Sequence, residues 1–209
     1  MRKILILLFL SGFFSTKPAA ALTARESLSI YLLQHPFETQ LIKDSIKILA
    51  PNTSEARRQK LAVAIHWSSQ QYQIHPQVIL AIIGVESDFR QITNSHGDIS
   101  LIQINFDIWD REFKRLGRKP LNKARLKRFP SYGIMRGTEI LRIYKDRAHP
   151  LDPYWFTLYH STTEKLRTRY LTKVKSKLSQ IEHLWLLSPK NLFISKNNLP
   201  TPPKTVIMK

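Results

Sequence analysis

The sequence predicts a mainly α-helical chain built around one central domain, and three features carry that prediction. Apolar residues recur at helical spacing over most of residues 22–187. Proline and short polar clusters punctuate these runs at Pro36, Pro51-Asn52-Thr53-Ser54, His75-Pro76, Pro120 and Pro150-Leu151-Asp152-Pro153. One run, Val78-Ile79-Leu80-Ala81-Ile82-Ile83, is apolar on nearly every side, and a helix of that kind belongs at the centre of a domain.

The ends are expected to stand outside the fold. Residues 1–21 read as a secretory signal, with Arg2-Lys3 as the positive segment, an apolar run over 4–14 and Ala19-Ala20-Ala21 as the cleavage site. Residues 188–209 hold Pro189, Pro200, Pro202 and Pro203 and read as a tail. Between them the expected divisions are an N-terminal helical segment over 22–50 and the main domain over 51–187.

In order, residues 22–50 should form two short helices separated at Pro36, the second over 37–49. A helix starting after Ser54 should run to about Tyr72, and Gln73-Ile74-His75-Pro76 should turn into the central helix, with proline in its first turn. The stretch 90–98 reads as a loop with turn chemistry at Asn94-Ser95 and Gly97-Asp98. Alternation over residues 99–105 leaves room for a short β element. A helix over 106–117 should end at Gly117. Residues 114–128 hold eight Lys or Arg and no acid, which reads as solvated loop or as a patch for an anionic polymer. A helix over 131–147 and a last basic helix reaching about residue 187, with Trp185 near its end, complete the order.

Composition narrows the function classes. The formal net charge is +18, and loss of Arg2, Lys3 and Lys17 with the expected signal leaves +15 over 188 residues. Such an excess implies an anionic partner: nucleic acid, anionic lipid or cell wall. No recognised nucleic-acid motif occurs. The chain has no cysteine, so it forms no disulfide and carries no thiol-linked lipid, and any membrane contact would be peripheral. His66 and His75 lie nearest the centre, but without cysteine or a His-Glu-x-x-His spacing no metal and no cofactor are expected.

The candidate for chemistry is Glu86. It ends the central helix on a face shared with Ile82, Ile83 and Phe89. Burial and the negative end of the helix dipole both disfavour its charged form, which is what a general acid near neutral pH requires. The structural alternative is that Glu86 is simply the first polar residue where a buried helix meets solvent.

Glu86-Ser87-Asp88-Phe89, then Ser95, then Gly97-Asp98-Ile99-Ser100-Leu101-Ile102-Gln103-Ile104-Asn105 together resemble the lytic transglycosylases, peptidoglycan-cleaving enzymes of lysozyme-like fold. The family pattern is Glu-Ser-x-Phe, a serine and a Gly-Leu-Met-Gln-Ile block; Ser100 stands in the glycine position and Ile102 in the methionine position. A second block, Tyr154-Trp155-Phe156-Thr157-Leu158-Tyr159-His160-Ser161-Thr162, is similar to the family's Tyr-Asn-x-Gly or Tyr-His-Ser block, and the likeness covers residues 61–178. It is closest to the short, secretion-system-associated type. The resemblance implies a lysozyme-like helical domain with a cleft, exported to the periplasm or envelope, acting on glycan strands without nucleic acid and with secretion or envelope machinery as a further partner. It implies that Glu86 acts as a single acid and base on the MurNAc-β-1,4-GlcNAc bond, leaving a 1,6-anhydro ring. Ser87, Ser95, Gln103, Asn105, Tyr159 and His160 would bind or orient the sugar and the acid, Tyr159 through a hydrogen bond to the carboxyl. The competing class is a non-catalytic basic protein that binds glycan or nucleic acid on the same scaffold.

Overall fold

The computed structural model describes residues 24–186, so the expected signal and tail lie outside the described residues. Eight helices are found among them: α1 (Ala24–Gln34), α2 (Pro36–Leu49), α3 (Glu55–Tyr72), α4 (Pro76–Glu86), α5 (Phe106–Arg115), α6 (Lys123–Arg128), α7 (Pro130–Arg147) and α8 (Glu164–Leu186). A 3-10 helix covers Trp155–Tyr159, and two-residue strands β1 (Asp98–Ile99) and β2 (Ile104–Asn105) pair antiparallel, Asp98 with Asn105 and Ile99 with Ile104. The mainly α prediction therefore holds. No helix among the described residues is long and apolar enough to cross a membrane.

The central helix is α4. Ile79, Leu80, Ala81, Ile82 and Ile83 are completely buried, and at roughly 1.5–3 kcal/mol for each buried Ile or Leu this helix is a strong local reason for the fold. Helices α2, α3 and α8 pack around it. Gly84 admits α8, since a Cβ there would meet the Lys177 side chain at 3.3 Å. Helix α8 carries one buried stripe, Tyr170, Val174, Ile181 and Trp185. At its far end the Trp185 indole donates to Ser45 Oγ on α2 at 3.0 Å.

One local expectation is corrected and one is found in more detail. Residues 123–128 form helix α6, capped by the Asn122 side chain accepting from the Arg125 N–H at 2.9 Å, where a solvated loop was expected. Three of its four cations lie on aromatic rings, Lys123 over Phe106, Arg125 over Tyr132 and Arg128 over Phe129. Three of the four preceding cations do meet acids: Lys114 pairs with Asp110, Arg115 with Glu112 and Arg118 with Glu139. The short β element expected over 99–105 is present as a pair of two-residue strands. Ser100 (φ +79°) and Gln103 (φ +51°) turn left-handed, so β1 folds straight back onto β2.

Candidate active site

Glu86 is the last residue of α4, and the chain reverses immediately after it. Asp88 and Phe89 both adopt positive φ, +50° and +61°, a conformation that costs non-glycine residues energy and persists only where surroundings enforce it. Here several contacts do so. Phe89 is buried, Arg57 of α3 donates to its carbonyl at 3.0 Å, and Lys177 of α8 pairs with Asp88 at 3.0 Å. Ser87 is buried and its hydroxyl donates to the Leu101 carbonyl at 2.6 Å, tying the end of α4 to the 98–105 hairpin. The hydroxyl is committed to backbone.

The Glu86 carboxyl is half-buried and accepts from the Tyr170 hydroxyl at 2.7 Å. Its pKa is pushed up to about 7, chiefly because burial desolvates the carboxylate. The Tyr170 hydrogen bond opposes that rise, the charge of Asp98 adds to it, and Lys173 lowers it. The His160 ring lies flat on Tyr170, 4.6 Å between centroids and 3° between planes, so it covers the phenol that holds the acid. Desolvation and Lys173 lower the pKa of His160.

The tyrosine on the carboxyl is thus Tyr170, not Tyr159. The Tyr159 hydroxyl donates to the Ile102 carbonyl at 2.8 Å, because Tyr159 closes the 3-10 helix with its ring edge-on to Tyr144, which aims the phenol at the hairpin. Tyr159 still senses the acid: its pKa is raised well above the usual value by burial and then by the negative charge of Glu86.

The hairpin itself packs on α7. A Cβ on Gly133 would lie 2.6 Å from the Ser100 side chain, and one on Gly137 would lie 2.8 Å from Ile102 Cδ1. The two glycines form a notch that receives Ser100 and Ile102, both fully buried. Gln103 and Asn105, expected to face sugar, are engaged by protein. The Gln103 amide donates to the carbonyl of Ser100 at 2.6 Å and of Ile92 at 3.3 Å. Asn105 caps α5 by accepting from the Ile108 N–H at 3.1 Å and donates to Asp98 at 2.9 Å. Both Asp98 oxygens are occupied, the other by the Asn94 amide at 2.8 Å. Ser95 is exposed at the tip of the turn that Asn94 organises by accepting from the His96 and Asp98 N–H groups.

Sequence reading missed two groups. Tyr170 sits in the buried stripe of α8, where an aromatic residue reads as core. His35, Glu38 and His66 come together with one ligand atom of each within 4.8 Å of the others, although His66 is about 30 residues along the chain from the first two. An open pocket of about 440 Å³ is lined by Ile108, Trp109, Arg111, Glu112, Arg115, Tyr144 and Arg147. Glu86 is not part of its lining. No protein-family model matches the sequence and no curated protein matches it.

Proposed function

We propose that this chain is an exported peptidoglycan lytic transglycosylase with Glu86 as its single acid and base. The observation that carries the reading is a carboxyl held by a tyrosine hydroxyl at the end of a largely apolar, buried helix, with its pKa pushed up to about 7. A carboxyl of that pKa is populated in both protonation states near neutral pH, which is what successive acid and base roles require. Protonated Glu86 gives its proton to the glycosidic oxygen as the C1–O bond breaks. The resulting carboxylate takes the proton of the muramic C6 hydroxyl while O6 bonds to C1, closing the anhydro ring and restoring the acid. Tyr170 orients the carboxyl and supports its charged form; His160 shields that phenol.

The serine in the glycine position does not weigh against turnover. Its side chain is buried against Gly133 and so does not occupy solvent that a glycan would need. Asp88 pairs with Lys177 and takes no part. The signal-like N-terminus and the positive charge support an envelope location, with glycan strands as the main partner and secretion or envelope machinery as a further one.

One observation favours a second reading, a hydrolytic muramidase: the charge of Asp98 reaches Glu86, as a second carboxylate would. Both oxygens of Asp98 are already hydrogen-bonded to asparagine amides, which suits a fixed charge better than a base that activates water. Digestion of purified cell wall followed by mass spectrometry separates these readings. Anhydro-muramic ends are expected, with release lost in Glu86→Gln. Ends heavier by one water would shift the assignment to the hydrolase, and undiminished release by the Gln variant would remove Glu86 from the chemistry.

A further inference from the structure

The elbow between α1 and α2 places His35 just before the first turn of α2 and Glu38 three residues later, so the two side chains fall on one side of the helix start. His66 reaches them from the middle of α3. The two imidazole rings lie 4.8 Å apart between centroids, and a nitrogen of each and a carboxylate oxygen of Glu38 all fall within 4.8 Å of one another. We propose that His35, Glu38 and His66 form a binding site for a borderline divalent transition cation, of which zinc is the type.

The ligand chemistry selects the ion. Two imidazoles and one carboxylate suit zinc and its neighbours, whereas calcium and magnesium require sites built almost wholly of oxygen. Bonds of about 2.0–2.2 Å would draw the three donor atoms to within roughly 3.5 Å of each other, a contraction of about 1 Å from the present arrangement. Two of the three donors can supply that movement, because His35 and Glu38 are half-buried at a helix start while His66 is fixed in the core. Both ring nitrogens of His66 have a polar neighbour, of which one would yield its nitrogen to the ion and the other would remain as the outer contact that orients the ring. The Tyr31 hydroxyl lies 2.8 Å from its Nδ1, and the Gln70 amide is 3.4 Å from its Nε2. Three protein ligands leave a fourth position for water or another donor. The ion would clamp the α1–α2 elbow to α3, at a place where Leu33 and Phe37 leave apolar surface exposed.

The site is independent of Glu86, so it is tested without reference to wall cleavage. The full chain, purified through a tag that contains no histidine, is stripped with chelator and titrated with Zn²⁺ against a chromogenic competitor. Co²⁺ substitution then gives the visible absorption of a four-coordinate site. One equivalent of tight binding is expected, with a rise in Tm on adding Zn²⁺. His35→Gln and Glu38→Gln should each weaken binding at least about tenfold, since even outer-sphere partners are worth that much, and should remove the Tm rise. Glu86→Gln should bind as the parent does. Failure of the parent to compete for Zn²⁺ would overturn the proposal. So would unchanged stoichiometric binding by both variants, which would move the ion to other histidines.

Discussion

Two glutamates, each at a helix and each beside a tyrosine hydroxyl, end in opposite electrostatic situations. Glu139 of α7 is buried between two guanidinium groups, Arg136 at 2.6 Å and Arg118 at 2.8 Å, with Tyr72 at 3.3 Å. Arg136 in turn donates to the Lys119 carbonyl and lies over the Phe113 ring. Glu86 has Tyr170 and apolar neighbours, with no cation within ion-pairing distance among the described residues. Burial is common to both. Paired cations balance the charge of Glu139, whereas Glu86, buried without one, has its pKa raised to about 7 and can exchange a proton near neutral pH.

Substituting each glutamate by glutamine should break the parallel. Glu139→Gln leaves Arg136 buried without its counter-charge, and removal of one member of such a pair costs about 3–5 kcal/mol, read as a fall in denaturant midpoint. Glu86→Gln should behave in the opposite sense. A carboxyl whose pKa rises from 4.5 unfolded to about 7 folded binds more protons in the native state. Its ionisation therefore removes stability as pH climbs between those values and does nothing further below 4.5 or well above 7. The Tm of the Gln variant relative to the parent should increase across that window and then level off; a flat difference would mean the carboxyl is not perturbed.

Smaller effects come from the notch that holds the hairpin beside the acid. Gly133→Ala should cost about 1–3 kcal/mol by overpacking. Ser100→Gly should restore most of that, because it removes the obstructing atoms and suits φ +79°. A coupling energy of about 0.5–3 kcal/mol in the double-mutant cycle is the signature of direct contact, and additivity would show that the two positions do not meet.

Tyr170→Phe sharpens the comparison by taking away the polar partner that favours the Glu86 carboxylate. The pKa of Glu86 should move further above 7, and the alkaline limb of the pH–activity profile should move up with it while overall rate falls. Tyr159→Phe, which frees only the Ile102 carbonyl, should leave that limb close to its place.

The smallest effect is the surface one. Lys123, Lys127 and Arg128 to Glu should weaken sedimentation with insoluble wall at low salt, and the parent should lose the same binding by about 0.5 M salt, where screening acts within a few Å. Binding that ignores both treatments would exclude α6 as the contact surface.

Much of the fold was legible because α4 announces itself: an apolar run with proline before it and one carboxylate after it admits few placements. The helix boundaries at Pro36, Ser54 and Pro76 followed from backbone chemistry for the same reason. Helix α6 was hidden by its eight-cation surroundings, since charge repulsion argues for loop until Phe106, Tyr132 and Phe129 are seen beneath the side chains. The hairpin was hidden by the positive φ of Ser100 and Gln103, which alternation does not encode. Tyr170 and the His35–Glu38–His66 group depend on contacts between helices far apart in sequence, and no local pattern marks them.

Helix α8 has neither glycine nor proline over its 23 residues, so it has no point at which to bend. Tyr170, on the acid, and Trp185, on α2, are two ends of one stiff rod, separated by about 22 Å at 1.5 Å per residue. A shift of α2 that pulls on the indole must tilt or slide the whole rod, and the phenol moves with it. Helix α2 is thus joined to the Glu86 carboxyl along the length of α8, in addition to its own packing on α4.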